Sequence, residues 1–206
     1  MAYKTVAAYA SDEFVERKSR FIGHIAPVAA ESQAQDFIAR ISHEHRDASH
    51  NVYAYILREG GLSRCSDNGE PQGTGGVPVL EVLRKEGLTD VCAVVTRYFG
   101  GILLGTGGLV RAYSHGAKLA VDAAQVLNMS PCTELVVTCD YAFYGKLTYI
   151  LPDYHIRTQG SDFGEQITLS LLIRSDRLEA FRKALTELSN GQVEAISTGE
   201  RFEDME

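Results

Sequence analysis

The chain has no tryptophan, three methionines, five prolines and four cysteines in 206 residues. Cys65, Cys92, Cys132 and Cys139 are scattered without CxxC spacing, so they read as reduced thiols of a cytoplasmic protein rather than a disulfide framework. Long apolar runs are also missing. The longest uncharged stretch beside a hydrophobic run, Tyr98 to Val110, has 13 residues, five of them glycine, against the ~20 apolar residues a membrane-spanning helix needs. Lys4 is followed by six uncharged residues and then Ser11-Asp12-Glu13, too short a run for a signal peptide. No heptad or low-complexity tract appears, and 45% apolar with 23% charged residues is ordinary globular composition. At this length the chain can bury a real core, in one or two domains.

Positive charge is in short supply: 20 Lys and Arg face 27 Asp and Glu, net −7. The deficit is uneven. Residues 1–130 carry 13 basic and 14 acidic side chains, residues 131–206 carry 7 and 13. Anion binding follows the local field rather than the sum. Val91 to Val121 contains Arg97, Arg111 and Lys118 and no carboxylate, which reads either as a buried strand with an amphipathic helix or as an anion-facing stripe.

The pattern implies an α+β fold in two parts. Strands are expected at 4–9, 19–28, 51–57 and 91–96, and helices at 30–44, 77–86 and 109–126, with 62–76 irregular. Pro78 falls in the first turn of the second helix, where a missing N–H costs nothing. The order then resets near Asn128 to Pro131. Strands at 133–139, 155–161, 166–173 and 193–199 and helices at 143–151 and 176–188 spell βαββαβ, the ferredoxin-like pattern. The expected domains are therefore 1–130 and 131–206.

Two glycine loops echo each other. Gly73-Thr74-Gly75-Gly76 and Gly105-Thr106-Gly107-Gly108 each precede an expected helix, and Gly100-Gly101 adds a further turn. A helix start carries about half a positive charge and up to four unpaired N–H donors, and glycines leave those donors uncovered. Such loops can seat a phosphate or carboxylate, or they can simply let helices pack closely. Neither matches a Walker loop, for no lysine follows, and Val110 stands where a dinucleotide loop needs its third glycine.

Ser66 to Gly73 holds Asp67 and Glu70, three apart: an acid/base pair or magnesium site, or carboxylates that satisfy loop N–H groups. Cys65 with His50 or His115 is a weak nucleophile candidate, since no third orienting residue can be assigned. His43 and His45 are spaced to point to different sides of a helix, so no metal site is expected, and no cofactor.

The segment Asp47 to Tyr55, the loop Ser66 to Gly76, and above all Arg97-Tyr98-Phe99-Gly100-Gly101-Ile102-Leu103-Leu104-Gly105-Thr106-Gly107-Gly108-Leu109-Val110-Arg111-Ala112-Tyr113 resemble the IMPACT family in its two-domain bacterial form. The resemblance covers residues 1–130 by motif and the remainder by domain order. It implies a first domain similar to the second domain of a small-subunit ribosomal protein, an α/β sandwich, and a ferredoxin-like domain resembling one in elongation factor G. Eukaryotic members regulate translation by competing for an activator of an initiation-factor kinase; no catalytic residues come with the family. Three positions depart from its pattern: Asn68 for a second Asp, Gly75 for Ala, and Leu103 for Lys.

The leading expectation is a non-enzymatic, translation-associated protein binding RNA or a ribosomal surface. Its binding residues would be His50, Gly73, Thr74, Gly75, Gly76, Arg97, Gly100, Gly101, Gly105, Thr106, Gly107, Gly108 and Arg111. A regulatory protein–protein module, its acidic tail (Glu200, Glu203, Asp204, Glu206) meeting a basic partner, is the alternative. A small-molecule or nucleotide hydrolase using Asp67, Glu70 and Cys65 comes third.

Overall fold

The computed structural model describes residues 1–205. Its chain divides into two compact units, residues 3–127 and residues 128–206 with Met1 and Ala2.

In the first unit β2 (Ala10–Glu16), β3 (Ser19–Pro27), β4 (His50–Ile56), β5 (Ser63–Ser66) and β6 (Val91–Tyr98) form one antiparallel sheet in the order β2-β3-β6-β4-β5. A short β1 (Tyr3–Val6) precedes it. Central β6 is buried on both faces, which is why it reads as an unbroken β-branched run. Its odd-numbered residues Val91, Ala93 and Val95 pack with Phe21, Ile25, Val52 and Ala54 under α2 (Gly76–Lys85) and α3 (Thr106–Ala123). Its even-numbered Cys92 and Val94 pack with Tyr55 under α1 (Glu31–Glu44), through Ala34, Phe37 and Ile41. The result is a three-layer α/β sandwich. α3 buries Leu109, Ala112, Tyr113, Gly116, Ala117, Ala120 and Val121, an i, i+3, i+4 stripe sustained over its length.

The second unit follows the ferredoxin-like order. β7 (Val126–Cys139), α4 (Tyr141–Ile150), β8 (Arg157–Phe163), β9 (Ile167–Arg174), α5 (Leu178–Ser189) and β10 (Ala195–Asp204) run in sequence, and the strands lie β10-β7-β9-β8. Alternate residues Leu135, Val137 and Cys139 of β7 and Ile167, Leu169, Leu171 and Ile173 of β9 face Leu147, Phe181 and Leu185 of the helices. Asp140 caps α4, accepting from Phe143 N at 2.7 Å.

Asn128 to Pro131, where the pattern resets, is extended within β7, where Pro131 pairs with Phe202 beyond the stretch joined to β9. Two local readings differ. Residues 10–16, given no element from sequence, form β2. It joins β3 through a two-residue turn at Arg17-Lys18, both with positive φ (45° and 65°), without the Asn-Gly signal that marks such turns. β5 lies inside the stretch read as irregular, a four-residue polar edge strand.

Candidate functional site

Strand register assembles the site. On β6, Arg97 stands opposite His50 of β4 on one side and Phe21 of β3 on the other. All three lie on the α2/α3 face at the end of the sheet, continuing the row of Val95 and Val52. A guanidinium there needs a counter-charge, and the 67–76 loop brings Glu70 over it: Arg97 Nη1 donates to Glu70 Oε1 at 2.6 Å. The same oxygen accepts from Tyr113 Oη of α3 at 2.7 Å, and His50 Nε2 lies 3.8 Å away. Side-chain exposure is 6% for Arg97 and 4% for Glu70, so this is a buried ion pair. The Arg97 guanidinium carbon is 5.5 Å from the Phe21 ring centroid and 5.4 Å from that of Phe99. Burial, then the bond to Glu70, pushes the Tyr113 hydroxyl far above its ordinary range and keeps it a neutral donor. Arg97 Nε is the one buried side-chain polar atom, among the described residues, with no hydrogen-bond partner.

Asn68 sets His50. Its carbonyl oxygen takes a hydrogen bond from His50 Nδ1 at 2.8 Å, and its Oδ1 accepts from Asn51 N at 2.8 Å. A carbonyl only accepts, so Nδ1 carries a proton and donates it to Asn68 O. The departure from Asp at this position costs no contact, for an amide oxygen serves as well.

Above the cluster opens a cleft of about 580 Å³, lined by His50, Glu70, Arg97, Phe99, Leu103 and Thr106 together with Ser49, Gly69, Pro71, Leu104, Gly105 and Leu109. Phe99 is half exposed and Leu103 is 80% exposed at its lip. The start of α3 forms one wall. Gly105, at φ 75°, is the N-cap residue, and no side chain caps the helix. Among the described residues nothing accepts from the amides of Thr106, Gly107 or Gly108; the first intrahelical bond is Leu109 N to Gly105 O.

The first glycine loop corrects the sequence reading. Asp67 Oδ2 accepts from Gly73 N (2.7 Å), and Asp67 Oδ1 accepts from Gly75 N (2.9 Å) and Gly76 N (2.8 Å). Thr74 gives both its amide and its hydroxyl to the Pro71 carbonyl. No donor is left for a ligand. Gly76 serves packing, for a Cβ there would lie 2.8 Å from the Ser66 backbone. The amide of Gly100 is likewise taken, by Ser19 Oγ at 3.2 Å, while Gly101 only supplies a positive φ of 80°. The two loops resemble each other in sequence but not in availability.

The basic residues also separate. Arg97 is neutralised by Glu70, and Lys118 is paired with Glu86 and Asp122. Arg111 is exposed and, with Arg17, Phe14 and His115, lines a neighbouring depression of about 260 Å³ that shares Leu104 with the cleft. Asp67 and Cys65 do not line the cleft, and burial together with the Asp67 charge pushes the Cys65 thiol up, away from the thiolate a nucleophile needs. The set Asp67, Glu70 and Cys65 therefore does not converge on one reaction centre. The acidic tail is β10: Glu203 pairs with Arg157 and Arg201. Glu206 lies outside the described residues.

Tyr113, Ser19 and Ser49 went unread in the sequence. Tyr113 sits seven residues into α3 on its buried stripe, and a buried phenol needs a partner, the one signal that pointed to it.

Asp67 gives a direct test. Burial raises its carboxyl pKa, but the three amide bonds outweigh that and hold it below the ordinary carboxylate value. Asp67→Ala is expected to cost about 3 kcal/mol or more, since each abandoned amide costs roughly 1–3 kcal/mol, read from urea unfolding followed by circular dichroism. Because the folded pKa is depressed, the stabilisation is complete above the unfolded value of about 4 and is lost as pH falls through the folded value. Asp67→Asn should flatten that acid limb; an unchanged limb would mean the carboxylate is not the acceptor.

A helix-flanked five-stranded sheet carrying this cleft, followed by a ferredoxin-like domain, defines a two-domain class. Residues 17–121 match the Impact N-terminal domain and residues 137–192 match a domain of unknown function, DUF1949. The IMPACT family member YvyE of Bacillus subtilis is 38% identical over 97% of this chain and 92% of its own length. YigZ of Escherichia coli is 33% identical over 89% and 92%. A crystal structure described as that of a hypothetical protein superposes with a TM-score of 0.61 at 30% identity, covering 96% of this chain and 98% of that one. The chain belongs to the IMPACT family.

Proposed function

We propose that this protein acts in translation, in the cytoplasm, as a non-enzymatic RNA-binding protein whose contact face is the start of α3. Family membership and the translation role of eukaryotic members, which the sequence resemblance brings in, support the setting. The observation that carries the reading is the open α3 terminus: three amides with no acceptor among the described residues beside an exposed Phe99, with exposed Arg17 and Arg111 close by. Phosphates suit the amides and arginines, and an unpaired base suits the Phe99 ring. Four free thiols accord with a reducing compartment.

Fluorescence anisotropy of labelled single-stranded RNA across a salt series tests this. Three phosphate contacts predict log K falling by about 2 per log unit of salt. Removing both exposed arginines (Arg17→Ala with Arg111→Ala) should lower that slope by about 1.4 and leave the fold intact. Binding without salt dependence, or a slope the double variant does not change, would overturn the reading. So would partners from cell extract that survive nuclease treatment while RNA itself fails to bind.

A further inference from the structure

The first turn of α3 borders two hollows. Gly105 and Thr106 line the cleft, Gly108 lines the neighbouring depression, and Leu104 belongs to both. At about 260 Å³ the depression falls below the ~300–1,000 Å³ of ordinary small-molecule sites, so it suits a single group rather than a whole nucleotide. Three donor-bearing side chains line it. Arg111 and His115 stand four apart on α3, hence on one face of the helix. Arg111 folds back toward the helix start: its Nη1 is 3.9 Å from where a Cβ on Gly107 would stand. Arg17 arrives from the turn between β2 and β3, and its Nη1 donates to the Leu103 carbonyl at 3.4 Å.

These donors are positioned but not neutralised. Among the described residues no carboxylate pairs with Arg111. Glu16 is the one carboxylate lining the depression; it lies 4.0 Å from Arg17 Nε, and both side chains are more than half exposed, so that pair is weak. The His115 ring stands edge-on to Phe14, centroids 4.5 Å apart, and Phe14 stacks on the buried Phe21 at 5.1 Å. A ring contact rather than a hydrogen bond therefore positions the imidazole. The chemistry of phosphate groups narrows the occupant. A phosphodiester within a strand carries one charge on two free oxygens, whereas a phosphomonoester carries about −1.5 to −2 near pH 7 on three. Two guanidiniums and an imidazole N–H match the monoester. The rest of the lining offers nothing to a strand that runs on, for Phe14 and Ala112 are apolar and Glu16 is acidic.

We infer that the depression seats the phosphomonoester of an RNA end, held by Arg17, Arg111 and His115, with the attached nucleoside turned across Leu104 toward the cleft. The inference rests on the RNA-binding reading and deepens it, by naming a phosphorylated strand end as what this face takes.

The test is fluorescence anisotropy of the full chain with one short single-stranded RNA, internally labelled and prepared with hydroxyl ends, with a 5′-phosphate or with a 3′-phosphate. A phosphate at one end should tighten binding at least about tenfold over the hydroxyl-ended strand, and the end that does so gives the polarity of the strand. Arg111→Ala and His115→Phe should each cut that ratio to about threefold or less, the phenyl ring keeping the contact with Phe14, while Glu16→Gln should raise it. Inorganic phosphate should move the Gly108, Arg111 and His115 amides in NMR spectra. Shifts elsewhere, or an end preference that neither Arg111→Ala nor His115→Phe lowers, would overturn the assignment. Equal binding of the three strands with the expected salt slope would remove this inference alone. Inorganic phosphate at Gly108 and His115 without binding of any RNA would remove the RNA reading and the strand end with it, leaving a phosphate site.

Discussion

Replacing Arg97 with alanine is expected to cost the first unit about 3–5 kcal/mol, the range for breaking a buried ion pair by removing one partner. The reason lies in what remains. Glu70 would keep the Tyr113 hydroxyl but lose its cation, in a place where its side chain is 4% exposed and water cannot take over. Glu70→Ala should cost a similar amount, because it strands a guanidinium whose other contacts are Ser19 Oγ at 3.5 Å and two aromatic rings. The double variant Arg97→Met with Glu70→Leu should recover much of the loss, since an apolar pair of similar volume needs no counter-charge. Urea unfolding of the parent, Arg97→Met, Glu70→Leu and the double variant closes the cycle. Additive single effects would show that the two side chains do not depend on each other. The same cycle explains why Arg97→Ala is a poor probe of ligand binding and why the exposed Arg17 and Arg111 are better ones.

The fold was largely legible from the sequence because its signals are local. The helical stripe of α1, the unbroken apolar run of β6 and the βαββαβ order after residue 132 each follow from side-chain periodicity alone. Elements held by their neighbours were not. β2 is an edge strand with one aromatic, Phe14, packed on the core, and its turn uses Arg17-Lys18 where a pattern reader waits for glycine. The first turn of α3 was passed over because Gly107 and Gly108 are poor helix formers, and tertiary packing overrides that preference. The site was half legible. His50, Arg97 and Glu70 were singled out, but a stretch free of carboxylates along the chain is not free of them in space: Glu70 and Glu86 arrive from other segments. Nor could the echo between the glycine loops show that Asp67 fills one and nothing in the described chain fills the other.

Gly23→Ala should be among the most damaging single-methyl changes in the first unit, with Gly100→Ala, whose Cβ would stand 2.0 Å from the Lys18 backbone. A Cβ at Gly23 would stand 2.0 Å from the Gly116 carbonyl oxygen and 2.9 Å from its carbon, both backbone atoms of α3. The backbone at Gly23 is ordinary extended strand, so the demand is for space and not for a special φ. Overpacking usually costs 1–3 kcal/mol when side chains can yield; here helix and sheet must part, and a loss of about 3 kcal/mol or more is expected. Gly116→Ala is the natural control. Its Cβ would meet a methyl of Val95 at 2.9 Å, the end of a side chain that can shift, so about 1–2 kcal/mol is expected. The two variants should also divide in function. Gly116 lies ten residues from Thr106, roughly 15 Å along the axis at the usual helical rise, so lifting α3 off the sheet at Gly23 swings its open amides away from Glu70 and His50. Gly23→Ala should therefore lose RNA binding under conditions where it still folds, while Gly116→Ala keeps it. A Gly23→Ala protein as stable as its parent would mean that α3 does not approach the sheet this closely, and the cleft built on that approach would go with it.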